Sequence, residues 1–206
     1  SERDLAILAE DLPGAAAEAL QGVARIAKIV GSMKEFSHPG TTEMSNTDIN
    51  KALESTLIVS QNEWKMVAEI ETRLASDLPP VLCFASEVNQ VFLNLILNAA
   101  QAIEGSGKPL PGRIKIESFE EEGSVVVRIS DTGTGIPNDL RERIFDPFFT
   151  TKPVGQGTGQ GLAISRDVIE AKHGGQLEVD GTVGEGAVFT IRLPHTVCLI
   201  KNANPA

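Results

Sequence analysis

Cysteine is nearly absent: Cys83 and Cys198 are the only two in 206 residues, each isolated, with no CxxC pair and no histidine at ligand spacing. That excludes a disulfide scaffold and a cysteine-based metal centre, and it fits two reduced structural thiols in a cytosolic protein. No stretch approaches the roughly 20 consecutive apolar residues that span a bilayer. Basic residues are outnumbered, 18 Lys and Arg against 28 Asp and Glu, for a net charge of −10, and they form no cluster. A phosphate backbone is held by neutralising its charge, so nucleic acid is not expected as a partner. The chain opens Ser1-Glu2-Arg3-Asp4, without a basic-then-apolar secretory leader. What is present is ordinary globular composition, 41% apolar and 22% charged, unlike a disordered or collagen-like chain. The length suits one or two small domains with genuine cores.

Periodicity predicts a helix over 14–36, with Leu20, Val23, Ala27 and Val30 in one apolar row and Ile26, Ile29, Met33 and Phe36 in the next. So wide a stripe wants two neighbours, as in one arm of a helical bundle, and Ser37-His38-Pro39-Gly40 ends it. A second helix is expected from about Asp48, through Ile49, Leu53 and Leu57, with Ser45-x-x-Asp48 as a capping signal. From Met66 the period becomes two, Met66, Ala68, Ile70, Thr72 and Leu74 marking one face of a half-buried strand. Further strands are predicted over 113–120, 124–131, 176–180 and 187–193, with helices over 87–104 and 159–173 and a loose tail after 200. A hairpin turns over Glu121-Glu122-Gly123. Hairpins with helices on one face predict an α+β fold, a two-layer α/β sandwich rather than a doubly wound parallel sheet.

Four constellations stand out from this frame. The helix from Glu87 is apolar almost all round, yet Glu87, Gln90, Asn94, Asn98 and Gln101 fall at steps of three and four and form one narrow polar line. Either these amides bond the backbone of a neighbouring element, or the line faces a polar ligand or a metal, since amide oxygens suit Mg2+. Asp131 continues the inward parity of Val125, Val127 and Ile129 and is followed by Thr132-Gly133-Thr134-Gly135-Ile136-Pro137. A carboxylate aimed inward either caps a local turn or hydrogen-bonds a ligand. The run Gly155-Gln156-Gly157-Thr158-Gly159-Gln160-Gly161-Leu162 leads straight into a helix, and loop amides beside a helix start make a phosphate site. It is neither the dinucleotide fingerprint nor a Walker A loop; the alternative is a flexible linker. Between Pro137 and Thr158 lies a stretch of little periodicity holding Phe145, Phe148 and Phe149, read either as the anchors of a lid or as a satellite core. Lys152 in the same stretch meets a phosphate or is an ordinary surface lysine.

Together and in this order, these elements resemble the nucleotide-binding domain of bacterial sensor histidine kinases, in the superfamily with gyrase, heat-shock-90 chaperones and mismatch-repair ATPases. Gln90-x-x-x-Asn94-Leu95-x-x-Asn98-Ala99 resembles the family's asparagine box, the run from Asp131 to Gly135 its first glycine box, and that from Phe145 to Lys152 its phenylalanine box. The run from Gly155 to Leu162 resembles the second glycine box, and Gly184-Glu185-Gly186 with the strand to Pro194 the last glycine motif. The resemblance implies a Bergerat ATP-binding fold over 46–196, preceded over 1–45 by the end of the dimerisation and phosphoacceptor helical hairpin and followed by a tail over 197–206.

Carried over, it implies ATP and Mg2+ as cofactors, with Asn98 on the metal and Asn94 in the adjacent phosphate and metal environment. Asp131 would accept from the adenine amino group, Gly133 and Gly135 would admit the purine, and Gly157, Gly159 and Gly161 would wrap the phosphates. Ile136, Phe149, Lys152, Thr158 and Leu162 belong to the same implied binding set. The partners implied are the receiver domain of a response regulator and a second copy of the chain through the hairpin. Location is expected to be cytoplasmic, with any membrane attachment of the intact protein upstream of Ser1.

Departures from the pattern are Gln101 where relatives often have Lys, Gln160 for Leu, and Ala187 for a Thr near adenine. None of the three histidines suits the phosphoacceptor position: His38 precedes Pro39, His173 precedes Gly174-Gly175, and His195 follows Pro194. The chain is therefore expected to bind ATP without phosphorylating itself. Two alternatives stay open. An ATP hydrolase of the same superfamily would carry a Glu where Asn94 stands, and a non-catalytic interaction module would pair through its helices without needing nucleotide.

Overall fold

The alternating segments assemble into one mixed sheet in a computed structural model that describes residues 43–151 and 159–195. The predicted helix over 14–36, the C-terminal tail and Cys198 lie outside the described residues. In chain order come β1 (Ser45–Thr47), α1 (Ile49–Val59), α2 (Gln61–Trp64), β2 (Ala68–Leu74), β3 (Val81–Cys83), α3 (Ala85–Glu104), β4 (Gly112–Glu121) and β5 (Ser124–Asp131). Two 3-10 turns follow (Asn138–Leu140 and Arg143–Phe145), then α4 (Gly161–Arg166) running on as a π-helical stretch (Asp167–Lys172), then β6 (Gln176–Thr182) and β7 (Gly186–Pro194). The five-stranded sheet has the order β2-β4-β5-β7-β6, with β2 parallel to β4 and the other neighbours antiparallel. β1 and β3 form a separate antiparallel pair.

Helix α3 lies on one face of the sheet against β4, β5 and β7, flanked by α1 and α4, so the two-layer α/β sandwich is the observed architecture. Its core is the set of inward residues the alternation marks: Ile114 and Ile116 of β4, Val125, Val127 and Ile129 of β5, and Phe189, Ile191 and Leu193 of β7, against Phe92, Leu95 and Ile96 of α3. Each such side chain contributes about 1.5–3 kcal/mol when taken out of water. The opposite face carries charges, and there Val126 is shielded between Phe119 and Arg192 in register, with the Arg128 guanidinium 4.9 Å from the Phe119 ring centre.

The hairpin turns within the run Glu121-Glu122-Gly123, one residue more tightly than expected. Glu121 pairs with Ser124, leaving Glu122 and Gly123 as a two-residue loop, both at positive φ (49° and 76°), the geometry that matches strand twist. Other expectations shift. Met66 is 76% exposed and outside β2, so the inward face starts at Ala68. Ser45 pairs in β1 and caps nothing; Asp48 is the N-cap of α1, its carboxylate accepting from the Lys51 amide at 3.1 Å. The helix predicted from 159 begins at Gly161 and widens in its last turns.

A buried polar relay joins the layers. Asn50 of α1 donates through Nδ2 to the Ala75 carbonyl at 2.7 Å, and its Oδ1 accepts from the buried Ser118 hydroxyl of β4 at 2.7 Å. Asn50→Ala breaks both bonds and is expected to cost about 2 kcal/mol. The readout is a lowered urea midpoint; an unchanged midpoint would show the relay to be dispensable.

Candidate functional site

Strand parity carries Asp131 to the inward end of β5, where it is 8% exposed. Its Oδ1 accepts the Gly133 amide at 2.8 Å, and the Ala187 amide of β7 also donates to the carboxyl. Burial pushes the Asp131 carboxyl above the ordinary carboxylate range, and the two amides and the charge of Lys108 offset part of that rise. The loop that follows is strapped on both sides: Thr134 donates to the Ala102 carbonyl of α3 at 3.2 Å and accepts from the Gly184 amide at 2.7 Å. Gly135 sits at φ +72°, where a Cβ would lie 2.0 Å from the Thr182 carbonyl oxygen, so glycine is required there.

The polar line of α3 resolves into distinct contacts, of which those of Asn94 reach α4. Glu87 pairs with Lys172 at 2.8 Å; Gln90 donates to Asn94 Oδ1 at 3.1 Å; Asn94 Nδ2 donates to the Gly161 carbonyl at 3.3 Å and toward Ser165 Oγ at 3.4 Å. For Asn94 the backbone-bonding reading therefore holds, and the backbone it bonds is that of Gly161, in the glycine run. Asn98, one turn on, is half-buried, and Gln101 is exposed.

The aromatic stretch divides. Phe145 is buried in the core beneath the Arg166 guanidinium (5.1 Å), Phe149 lies under Arg143 (4.8 Å), and Phe148 is 72% exposed. The Phe148 amide donates to the Gly159 carbonyl at 2.8 Å, which staples this stretch to the start of α4; at this end the glycine run is a docked loop rather than a linker. Arg141 Nη2 ties the same stretch to β6 through the Gly181 carbonyl (2.6 Å) and Asp180 (2.8 Å). Ile136 and Leu162 are half-buried against the core. Lys152, Gly157 and Thr158 lie outside the described residues.

The model for histidine kinase-, DNA gyrase B- and HSP90-like ATPases matches residues 85–197. The chain belongs to that family. Among curated relatives it is 35% identical over 177 residues to the signal transduction histidine-protein kinase AtoS of Escherichia coli, covering 85% of this chain and 28% of AtoS. It is 34% identical over 184 residues to the sensory histidine kinase/phosphatase NtrB of Azospirillum brasilense, covering 82% of this chain and 44% of NtrB. The chain thus spans less than half the length of these relatives. Among solved structures, the catalytic domain of histidine kinase ThkA superposes with a TM-score of 0.66 at 33% identity, covering 75% of this chain and 97% of that one. The match to nearly all of an isolated catalytic domain identifies the described unit as the ATP-binding catalytic domain of a sensor histidine kinase. Among the described residues no helix is long and apolar enough to cross a membrane.

Several residues that organise this kinase domain carry at most a weak sequence signal. Ser165 is fully buried and donates to the Gly161 carbonyl at 2.8 Å, closing a triangle with Asn94; its position four residues into the helix was the available cue. Lys108, from the loop after α3, donates to the Thr132 and Gly133 carbonyls at 2.7 and 3.2 Å. His173, 3% exposed, accepts the Phe84 amide at Nε2 (2.9 Å), so its Nδ1 carries the proton and donates to the Val168 carbonyl at 2.6 Å. Both ring nitrogens are engaged, which makes it a structural strut between the end of the π-helical stretch and the start of α3. His195 lies 3.1 Å from Glu120, and His38 is outside the described residues. Cys83 is fully buried, and burial pushes its thiol up, as for a structural cysteine.

Proposed function

We propose that this catalytic domain binds ATP with Mg2+ and supplies the γ-phosphoryl group for phosphorylation of a histidine that is not among the three in this chain. What supports the reading is that α3 links the three motifs: the loop after Asp131 bonds the Ala102 carbonyl near its end, and Asn94, two turns earlier, bonds the Gly161 carbonyl at the start of α4. In this reading Asp131 accepts from the adenine amino group, and Gly133, Gly135 and Ile136 admit the purine. Gly157, Thr158, Gly159, Gly161 and Leu162 bound the phosphates, with Phe149 and Lys152 in the lid. Asn98, with Asn94 beside it, presents amide oxygens of the hard type Mg2+ takes, alongside phosphate oxygens. The metal neutralises phosphate charge when bound, and the protein's own contribution is positioning and water exclusion.

The phosphoryl group would pass onward to the receiver domain of a response regulator. A likeness to ThkA in its complex with the response regulator protein TrrA supports that partner, at 28% identity and a TM-score of 0.61 over 86% of this chain. In the intact protein a homodimer through a helical hairpin would present the acceptor. Cytoplasmic location belongs to the same reading.

Calorimetric titration of ATP with and without Mg2+, on the chain and on Asn98→Ala, tests it. Binding that Mg2+ strengthens, and that Asn98→Ala weakens about tenfold when Mg2+ is present, is the expected result, the scale on which a metal site responds to loss of a supporting group. No binding at millimolar ATP would overturn the assignment. Fast ATP hydrolysis would move it to the hydrolase branch, and γ-label on His38, His173 or His195 would overturn the missing acceptor.

A further inference from the structure

Lys108 is the residue whose placement the reading above leaves unused. Helix α3 ends at Glu104, and the chain then curls back through Gly107 at φ +69°. Ser106 fixes that curl: its hydroxyl donates to the Ile103 carbonyl at 2.7 Å and accepts the Lys108 amide at 3.2 Å. The curl delivers the Lys108 ammonium to two successive carbonyls, Thr132 at 2.7 Å and Gly133 at 3.2 Å. Gly133 is the residue whose own amide holds Asp131 Oδ1 at 2.8 Å. The Thr132 carbonyl and the Gly133 amide are the two ends of one peptide unit, so the ammonium grips the far side of the unit that holds the carboxylate, and the carbonyl of the next unit as well. Lys108 is exposed, yet its ammonium bonds two successive carbonyls rather than water alone, and hydrogen bonds from a charged donor are the stronger kind.

We propose that Lys108 is a positioning and specificity residue of the nucleotide site, holding the turn from Asp131 to Gly133 so that the carboxylate meets a purine 6-amino group and rejects a 6-oxo group. This deepens the ATP-binding reading and rests on it. An ionised carboxylate only accepts hydrogen bonds, so it pairs with the amino group of adenine and repels the carbonyl of guanine. A protonated carboxyl donates and loses that discrimination. Around Asp131, β7 contributes the Ala187 amide, α3 contributes apolar Ala102 to the same loop, and Glu185 on the β6–β7 turn is exposed. Burial is the largest influence on the carboxyl and favours the neutral form; the Gly133 and Ala187 amides, and after them the charge of Lys108, favour the ionised form.

The test titrates ATP and GTP into the full chain by calorimetry across pH 5–8, for the native protein, Lys108→Met and Lys108→Arg, with a thermal melt of each. Lys108→Met is expected to fold with a near-native melt, bind ATP about tenfold more weakly at neutral pH, and discriminate less against GTP. Its acid-side loss of ATP affinity should begin at higher pH than in the native protein, because removing the cation lets the carboxyl protonate earlier. Lys108→Arg should restore most of both properties. A Met variant with native affinity, selectivity and pH profile overturns the proposal. So does a loss that is uniform in pH, leaves the ATP to GTP ratio unchanged and tracks a lowered melt, which would make Lys108 a support of the fold alone. Native protein that binds neither nucleotide overturns the ATP reading itself, a distinct result.

Discussion

Asp131→Asn is expected to lower ATP affinity between about tenfold and a hundredfold, the range set by loss of a hydrogen bond to a charged acceptor. It is also expected to leave the fold intact and change how stability depends on pH. Burial raises the folded-state pKa of Asp131 above its unfolded value, so the folded chain holds that proton to higher pH than the unfolded chain does. The carboxyl therefore contributes a loss of stability as pH rises from the ordinary carboxylate range, near 3.9, through the raised value. Asn cannot ionise, so that decline should be missing. The difference between the two proteins' urea midpoints, followed from pH 4 to pH 8, isolates it from the other carboxylates. A difference that stays flat would mean that Asp131 titrates as a solvated group, and unchanged ATP binding would remove it from the nucleotide site.

The second large effect is on Gly135. Alanine there must adopt φ +72°, which costs about 1–2 kcal/mol for an L-residue, and its Cβ would lie 2.0 Å from the Thr182 carbonyl oxygen, so β6 or the loop must move. We expect Gly135→Ala to lose about 3 kcal/mol or more, a melting temperature lower by roughly 10 °C. Because the same loop is bonded through Thr134 to Ala102 and Gly184, the movement should also reach Asp131 and weaken ATP binding. Gly184→Ala is the control: its φ is +83° but no atom lies within 4 Å of the added Cβ, so it should show the conformational cost alone, about 1–2 kcal/mol. Equal losses in the two variants would mean that the close approach of Gly135 to β6 carries no weight.

These two residues illustrate how the site could be found from the chain and where that stopped. The parity of Val125, Val127, Ile129 and Asp131 on one strand told which way the carboxylate points, since a strand has only two faces and three of these residues are apolar. The steps of three and four from Glu87 to Gln101 put the amides on one line of α3 for the same reason, a fixed helical period. Neither pattern names the partner. Whether Asn94 bonds a ligand or the Gly161 carbonyl depends on which helix packs beside α3, and that contact joins residues 67 positions apart. The three phenylalanines were equally mute: Phe145 enters the core, Phe149 lies under an arginine and Phe148 faces solvent, with no difference in local sequence that would sort them.

Composition and period together were sufficient for the two-layer sandwich, its inward faces and a hairpin over Glu121-Glu122-Gly123, because each follows from interactions local to a turn, a helix face or a strand; the glycine, asparagine and phenylalanine motifs were legible only through their resemblance to a known family. The parallel pairing of β2 with β4, the three-residue strands β1 and β3, the true cap at Asp48 and the grips of Lys108 and His173 came only with the folded chain. Strands of three residues are too short to show a period, and a single lysine or histidine looks alike in a loop and in a strut. What distinguishes them is the set of carbonyls and amides brought to their side chains from 24 residues away for Lys108 and 89 for His173, and that proximity is set by packing of the whole sheet and its helices.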